Sequence, residues 1–306
     1  MKKPKKKSLL KYFEPVESGK SLSENFGSLD LEGSFGYFAL SAQNKSLFLN
    51  RLSVDLLYEM MKKVGLMDHL KKIGFYNIKL EINKDDAQIH YLKIYYDKID
   101  PDHLLIDLRV SESRFIPEKR FCEEYNAPMF MDMVVIEWLS AQNPKSDFDT
   151  SKPQLPGQSR PGLGSLNYMM DLMYIVGEQV VKDGFMDVPD HFHGAVMYAK
   201  KFKFFNPSHE AILRAILRDI KGYSLYDMSW GMITGTIIDK TTNIPQVYDP
   251  SEQIFPVSQR MKEYYNSKKY KEKYKKIYES KKYYFDYNKM CQLREKILKE
   301  TKCDEL

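Results

Sequence analysis

The feature that most constrains the fold is a continuous apolar run, MDMVVIEWLSAQNP at residues 131–144, with β-branched residues at its centre. A segment that is apolar on both faces is typical of a strand buried inside a sheet. A polar, Pro-rich stretch follows it, and the loop QSRPGLG then leads into a helical pattern over residues 166–182. The order strand, glycine loop, helix, short strand, helix over residues 131–204 therefore predicts a mixed α/β fold.

The flanking segments add strands and helices on both sides of this unit. Apolar residues at helical spacing predict helices over residues 52–73, interrupted at Gly65. Alternating patterns separated by turn residues predict an antiparallel meander before residue 131. The remaining predicted elements are strands at 35–41 (a weak candidate), 76–82, 89–96, 104–110, 185–188 and 230–239, helices at 193–202 and 210–220 with Ser208 as N-cap, an irregular return at 244–257, and Lys/Tyr-rich helices from residue 259 with a break near Tyr283.

Charge is segregated along the chain. Five lysines precede residue 8, and ten lysines with Arg260 face four acidic residues between residues 260 and 289, although the formal net charge of the whole chain is only +5. The rest is therefore an acidic body with two basic ends. We expect three parts: a flexible basic tail at 1–30, an α/β domain at 31–205, and an α-rich C-terminal extension at 206–306.

Several classes of protein are disfavoured by composition. The longest apolar runs reach about half of the ~20 residues that a membrane span requires, so no membrane partner is expected. The lysine-rich start lacks the apolar segment of a signal peptide. Cys122, Cys291 and Cys303 follow neither a disulfide nor a zinc pattern. These patterns favour a cytoplasmic protein and give no indication of its oligomeric state.

The glycine loop is a candidate anion site. Gly162 and Gly164 precede a helix N-terminus, where unpaired N–H groups and the helix dipole both favour a negative charge. Arg160 and the side-chain amide of Gln158 lie beside them. A diphosphate would contact backbone N–H groups of the loop, and the alternative is a surface turn that simply enters a helix. The predicted N–H donors are those of Arg160, Gly162, Leu163, Gly164 and Ser165.

The loop QSRPGLG, placed after VVIEWLSAQNP, resembles the acyl-CoA loop of the GNAT N-acetyltransferase superfamily, Gln/Arg-x-x-Gly-x-Gly/Ala. The segment HFHGAVMYAKKFKF also resembles the later helix of that family, with Ala195, Tyr198 and Phe204 in matching places. His193 stands near the usual Asn, and Lys203 replaces the usual Gly. The resemblance covers about a quarter of the chain well. It implies a mixed, mostly antiparallel sheet flanked by helices, and acetyl-CoA or another acyl-CoA as co-substrate.

The resemblance also implies roles for single residues. In GNAT proteins the strand before the loop diverges from the strand after the helix, and the pantetheine arm lies between them, which places Leu139, Ala141 and His193 near it. Glu137 would act as general base toward an amine, with a pKa raised by burial, and Tyr198 would protonate the departing thiolate. The alternatives are a solvent-facing Glu137, a Tyr198 that only packs in the core, and His193 as the base.

Other functions remain open on the residues alone. A GNAT-like scaffold without catalysis would bind CoA or a protein partner. The basic C-terminal helices, with tyrosines among the lysines, would follow nucleic acid, although an amphipathic helix with buried tyrosines is the favoured interpretation. We expect no metal site, since Asp187, Asp190, His191 and His193 lack a further ligand cluster and Asp190 suits a helix N-cap. The acyl acceptor, an amine, is not identified by the sequence.

Overall fold

The computed structural model describes residues 13–15, 47–85, 88–180 and 182–306. The tail predicted at 1–30, apart from residues 13–15, and the strand predicted at 35–41 lie outside these ranges. Eleven strands are found in the described part. They are β1 Phe13–Pro15, β2 Ile78–Lys84, β3 His90–Tyr96, β4 Leu104–Phe115, β5 Met131–Ala141, β6 Gly184–Asp187, β7 Lys203–Phe204, β8 Ile237–Asp239, β9 Ile244–Pro245, β10 Gln253–Pro256 and β11 Tyr283–Phe285.

Ten α-helices accompany the strands over the same described ranges. They are α1 Val54–Lys63, α2 Leu66–Lys72, α3 Lys119–Tyr125, α4 Leu166–Val180, α5 Phe192–Tyr198, α6 Pro207–Asp219, α7 Leu225–Ile233, α8 Gln259–Asn266, α9 Lys268–Ser280 and α10 Tyr287–Glu300. None of these helices is both long and apolar enough to cross a membrane.

The main sheet has the strand order β2-β3-β4-β5-β6-β10-β7, and β1 pairs with the far end of β4. Every pairing in it is antiparallel except that between β5 and β6. Strands β8, β9 and β11 form a second, three-stranded sheet. The predicted mixed, mostly antiparallel fold is therefore confirmed.

Helices cover both faces of the main sheet because its central strands carry apolar side chains on both sides. On β5, Val134 and Ile136 pack with α1, α2 and α4, whereas Met133 and Val135 pack with α3, α8 and α9. Successive side chains of a strand point to opposite faces, so this one run contributes to two cores. A third core lies in the C-terminal part and joins α5, α6 and α7 to the small sheet.

Three predictions for the C-terminal part were wrong: the strand at 230–239, the N-cap of the helix predicted at 210–220, and the irregular course of the return at 244–257. The helix predicted at 210–220 itself is confirmed as α6. The segment predicted as a strand at 230–239 is mostly helix α7, because Ser224 and Asp227 form a capping box and only β8 at its end is extended. Helix α6 begins at Pro207, and the side chain of Asn206, not Ser208, caps it. The irregular return contains β10, which lies inside the main sheet between β6 and β7. The boundary predicted at 205/206 thus separates segments that share one sheet.

Candidate active site

The central parallel pair of the sheet opens after three positions. Strand β5 pairs with β6 from Met133 opposite Gly184 to Val135 opposite Met186, and no further pair of these two strands is found among the described residues. The remaining half of β5 continues to Ala141. A parallel pair that stops early leaves a gap between two strand ends, lined by backbone groups and by the side chains that follow.

A β-bulge lies where the two strands separate. Arg109 of β4 pairs with Trp138, and the next residue, Val110, pairs with Ile136, which leaves Glu137 as the extra residue on β5. Bulges bend the strand that carries them and redirect its side chains. The bulge therefore supplies a local reason why β5 turns away from β6 immediately after Val135.

Glu137 is exposed at this bulge, so its predicted burial among Val135, Ile136 and Trp138 was wrong. Its carboxylate accepts a hydrogen bond from the Ser111 hydroxyl at 2.7 Å. The side chain is held by one short contact and is open to solvent otherwise, because β6 no longer covers this part of β5. An ionised carboxylate in such a position is available to accept a proton.

The glycine loop is attached to the end of β5. The Asn143 N–H donates to the Pro161 carbonyl at 2.8 Å, and the Leu163 N–H donates to the Ala141 carbonyl at 3.2 Å. The Leu163 carbonyl in turn lies 2.9 Å from Nε2 of His69 on α2. Since its N–H is already paired, Leu163 does not add a free donor, and its predicted place among the anion-binding N–H groups was wrong.

The exposed part of the loop is centred on its glycines. Gly162 and Gly164 are both exposed, and a side chain at Gly162 would meet nothing nearer than 3.8 Å. Gly164 has φ of +68°, a conformation that favours glycine. Ser165, directly before α4, is 1% exposed, and its hydroxyl has no hydrogen-bond partner in the described part of the chain. The loop thus presents open backbone at a helix N-terminus.

The side chains of Gln158 and Arg160, which were predicted to contact an anion, both bond the backbone of neighbouring residues. The Gln158 side-chain oxygen accepts the Leu155 N–H at 3.1 Å, and its backbone carbonyl accepts the Gln154 amide at 2.7 Å. Arg160 is exposed and donates to the Pro144 carbonyl at 3.2 Å. Gln158 therefore holds the turn in shape, while the Arg160 guanidinium remains a cation at its surface.

The strand residues predicted to line the gap are partly buried. Leu139 and Ala141 pair with Leu108 and Ile106 of β4 and pack against the core formed with α1, α2 and α4. They lie on the half of β5 beyond the bulge, where no pairing with β6 is found in the described structure. At Ala141 that edge of the strand is bonded instead by the glycine loop, through the Leu163 N–H.

On the opposite side of the gap, β6 ends at Asp187, and Tyr198 is the last residue of α5, the helix that follows. Burial, more than any other influence, raises the pKa of Asp187 to about 7, and the Asp190 and Glu137 carboxylates add to it. Burial and the neighbouring Asp187 charge raise the Tyr198 pKa well above its usual value. Glu137, Asp187 and Tyr198 therefore form one electrostatically connected group.

The raised pKa of Asp187 was not foreseen from the sequence, where this residue was considered only as a metal ligand. The one available signal was a carboxylate at the end of a short apolar strand, FMD, which gives no information about burial. No group of three or more metal-ligating side chains is found among the described residues. Asp190 does not cap α5, because the N-cap position is occupied by His191.

His191, the N-cap residue of α5, and His193, inside α5, contact each other. The rings of His191 and His193 stack with centroids 5.2 Å apart. Burial, together with the neighbouring His191, lowers the pKa of His193 to about 4. A side chain added at Gly157 would lie 2.6 Å from His191 Nε2, so the loop packs closely here. Such a low pKa makes His193 a weak base, and the pair suits support of the loop.

Compared with known proteins, the chain matches no family model and no curated protein.

The Lys/Tyr-rich helices place their tyrosines inward. The hydroxyls of Tyr264, Tyr265 and Tyr270 donate to the backbone carbonyls of residues 203–205, at distances between 2.7 and 3.1 Å. The lysines on the outer face, including Lys268 and Lys275, are exposed. The tyrosines therefore fasten α8 and α9 to β7 and are not free to stack on bases, which weakens the case for nucleic-acid binding.

Proposed function

We propose that the chain is a divergent member of the GNAT superfamily and transfers an acyl group, acetyl or longer, from acyl-CoA to a primary amine. The observation that carries this proposal is the parallel β5–β6 pair that opens after three residues, with a glycine loop fixed to the end of β5. An extended thiol-bearing arm fits a gap between strands, where unpaired backbone groups remain to bond it. The exposed backbone of Gly162 and Gly164, close before the start of α4, suits the diphosphate.

In this proposal Glu137 accepts the proton of the amine, and Tyr198 donates one to the departing thiolate. The exposure of Glu137 and its hydrogen bond from Ser111 suit a carboxylate that is ionised before reaction. Tyr198 is the last residue of α5, the helix that follows β6. Direct transfer requires no covalent intermediate on the protein, so a nucleophilic cysteine is not needed.

The test is a thermal-shift titration with CoA, acetyl-CoA and longer acyl-CoAs. We expect saturable stabilisation, because a ligand that binds only the folded state raises the melting temperature. A valine at Gly162 enters open space and should leave folding intact while weakening CoA binding by about tenfold or more, about 1.4 kcal/mol. Gly162→Ala is the matched control and should have a smaller effect.

Turnover is measured by thiol release with acetyl-CoA and a panel of amines. The panel contains a lysine-containing peptide, a peptide with a free N-terminus, spermidine and phenethylamine. Absence of any shift at millimolar CoA would overturn the proposal. Binding of CoA without release of thiol from any member of the panel would instead identify a scaffold that has kept the site and lost the reaction.

A further inference from the structure

The N–H group of Gly162, the first glycine of the loop, has a direction that backbone bonding fixes. In a trans peptide the carbonyl and the following N–H point to opposite sides. The Pro161 carbonyl accepts the Asn143 N–H at 2.8 Å, so the Gly162 N–H points away from the end of β5. No acceptor for it is found within the described part of the chain. This donor therefore needs no side chain to orient it.

The N–H group of Gly164, by contrast, takes its direction from a side chain. The carbonyl of the preceding residue, Leu163, lies 2.9 Å from Nε2 of His69 on α2. A carbonyl oxygen can only accept a hydrogen bond, so Nε2 carries a proton and donates it. The Gly164 N–H then points to the other side of that peptide, away from α2. It also has no acceptor among the residues that the structure describes, and Gly164 is exposed.

The imidazole ring of His69 is itself held in place. It stacks on the ring of Tyr168 in α4, with centroids 4.8 Å apart and planes inclined by 29°. A Cβ added at Gly164 would lie 3.8 Å from Cε1 of the same ring, which is ordinary contact. The ring therefore touches the loop and α4 at once, and its Nε2 proton has a fixed direction.

The peptide between Leu163 and Gly164 needs such a restraint because glycine follows it. Gly164 has φ of +68°, and glycine adopts positive and negative φ about equally well. Without a donor for the Leu163 carbonyl, the peptide can turn over at little cost. The turned peptide would present a carbonyl oxygen, which repels an anion, in place of an N–H, which attracts one. The hydrogen bond from His69 selects the attractive orientation.

We propose that His69 is a positioning residue of the anion site: it holds the Leu163 carbonyl so that the Gly164 N–H stays directed at the diphosphate of acyl-CoA. This inference rests on the proposed acyltransferase function. His69 acts through the peptide and takes no part in proton transfer. Its contribution therefore belongs to the affinity for donors that carry a diphosphate, and the rate of acyl transfer from the bound donor does not depend on it.

The first test compares two substitutions of His69 by the dissociation constant of CoA, measured by titration calorimetry. His69→Phe keeps a ring to stack on Tyr168 and removes the donor, so we expect CoA binding about tenfold weaker. His69→Gln loses the ring but carries an N–H the same number of bonds from the backbone, and should stay within about threefold of the unaltered protein. Lys71→Gln, at an exposed position of the same helix, is the control and should change nothing.

The second test uses a donor without the diphosphate. S-acetylpantetheine has the same thioester and the same arm as acetyl-CoA, but it ends before the phosphates. With acetyl-CoA, His69→Phe should raise KM about tenfold and keep kcat within about twofold. With S-acetylpantetheine, kcat/KM of His69→Phe should stay within about twofold of that of the unaltered protein. Equal losses with both donors would indicate a general distortion of the site and overturn the inference.

A measurement on the unaltered protein keeps the inference testable if His69→Phe fails to fold. In nitrogen-15 NMR, Nε2 of His69 should be protonated, and the amide signals of Gly162 and Gly164 should both move downfield as CoA is added. A neutral His69 ring with its proton on Nδ1 overturns the inference, as does a Gly164 signal that CoA leaves unmoved.

The outcomes also separate this inference from the function on which it rests. CoA binding that is equally tight in His69→Phe, or equally weak in His69→Gln and His69→Phe, overturns the role of the His69 donor and leaves the acyltransferase proposal standing. Failure of the unaltered protein to bind CoA overturns both.

Discussion

Strand β6 carries an aspartate just before its start and another at its end, and the two differ in their partners. Asp183 lies at the end where β5 and β6 are paired, and Asp187 lies where they part. Burial alone would raise the pKa of each carboxyl. At Asp183, hydrogen bonds from Arg260, Ser258 and the Asp132 N–H outweigh burial and lower the pKa. At Asp187 burial prevails, and the pKa is raised to about 7.

This difference separates a carboxylate that is held ionised from a carboxyl whose pKa is raised to about 7. The Asp183 side chain and carbonyl bond the start of β5 and the end of β10, through the N–H groups of Asp132, Val257 and Ser258. A permanently ionised group that joins three segments holds the sheet closed. A carboxyl near half-protonation at neutral pH holds little, but it can give or take a proton. The carboxylate that bonds neighbouring strands and the carboxyl with the raised pKa thus lie at opposite ends of β6.

The largest loss of stability is expected from Gly184→Ala, at the end of β6 that is paired with β5. An added Cβ would lie 2.3 Å from the Phe255 carbonyl oxygen, so β6 and β10 cannot keep their pairing. We expect a loss of about 3–5 kcal/mol in the free energy of unfolding, measured by chemical denaturation. Gly162→Ala at the open end is the control and should cost less than about 1 kcal/mol. If Gly184→Ala and Gly162→Ala lowered the free energy of unfolding equally, the close packing at Gly184 would not limit the side chain there.

The second largest loss of stability is expected when Arg260, the ion-pair partner of Asp183, is removed. Arg260→Ala leaves a mostly buried carboxylate with weaker compensation and should cost about 2–4 kcal/mol at pH 7. The Asp183 pKa is lowered in the folded state, so this contribution is present above the unfolded pKa of 3.8 and is lost as pH falls below it. The penalty should therefore shrink on acidification to pH 3. Lys262→Ala, an exposed residue of the same helix, should have little effect at either pH.

The smallest of the three stability effects is expected at Asp187. Here the substitution should stabilise the protein at high pH, whereas the two earlier ones destabilise it. Its folded pKa is raised from 3.8 to about 7, so the folded protein holds a proton that the unfolded chain has lost. Stability should fall as pH rises from 4 to 7, relative to Asp187→Asn. At pH 8 we expect Asp187→Asn to be more stable by about 1–3 kcal/mol, with no difference at pH 4. A variant that is less stable at pH 8 would contradict the raised pKa.

Local pattern was sufficient for the elements around the site. The β-branched run predicted β5, and the helical spacing interrupted at Gly65 predicted α1 and α2. The apolar pattern after the glycine loop predicted α4, and the structure contains all four elements. In each case the preference is expressed over several turns or alternations within one segment. The placement of the loop before a helix could be predicted for the same reason.

The environment of single side chains was not available from local pattern. Glu137 and Asp187 are both carboxylates in short apolar strands, yet the first is exposed and the second is mostly enclosed. The exposure of Glu137 follows from a bulge that is set by the pairing of β5 with β4. The burial of Asp187 depends on helix α5 and on strand β10, which lies more than sixty residues further along the chain.

The amino-acid sequence by itself thus determined which segments are strands and helices near the centre of the chain, and where open backbone precedes α4. Tertiary structure decided that β10 enters between β6 and β7, that β5 and β6 separate after three residues, and that the Asp187 carboxyl is shielded from solvent. The physical reason is that secondary structure follows from neighbours a few residues away, whereas burial, bulges and pKa values depend on segments brought together from distant parts of the chain.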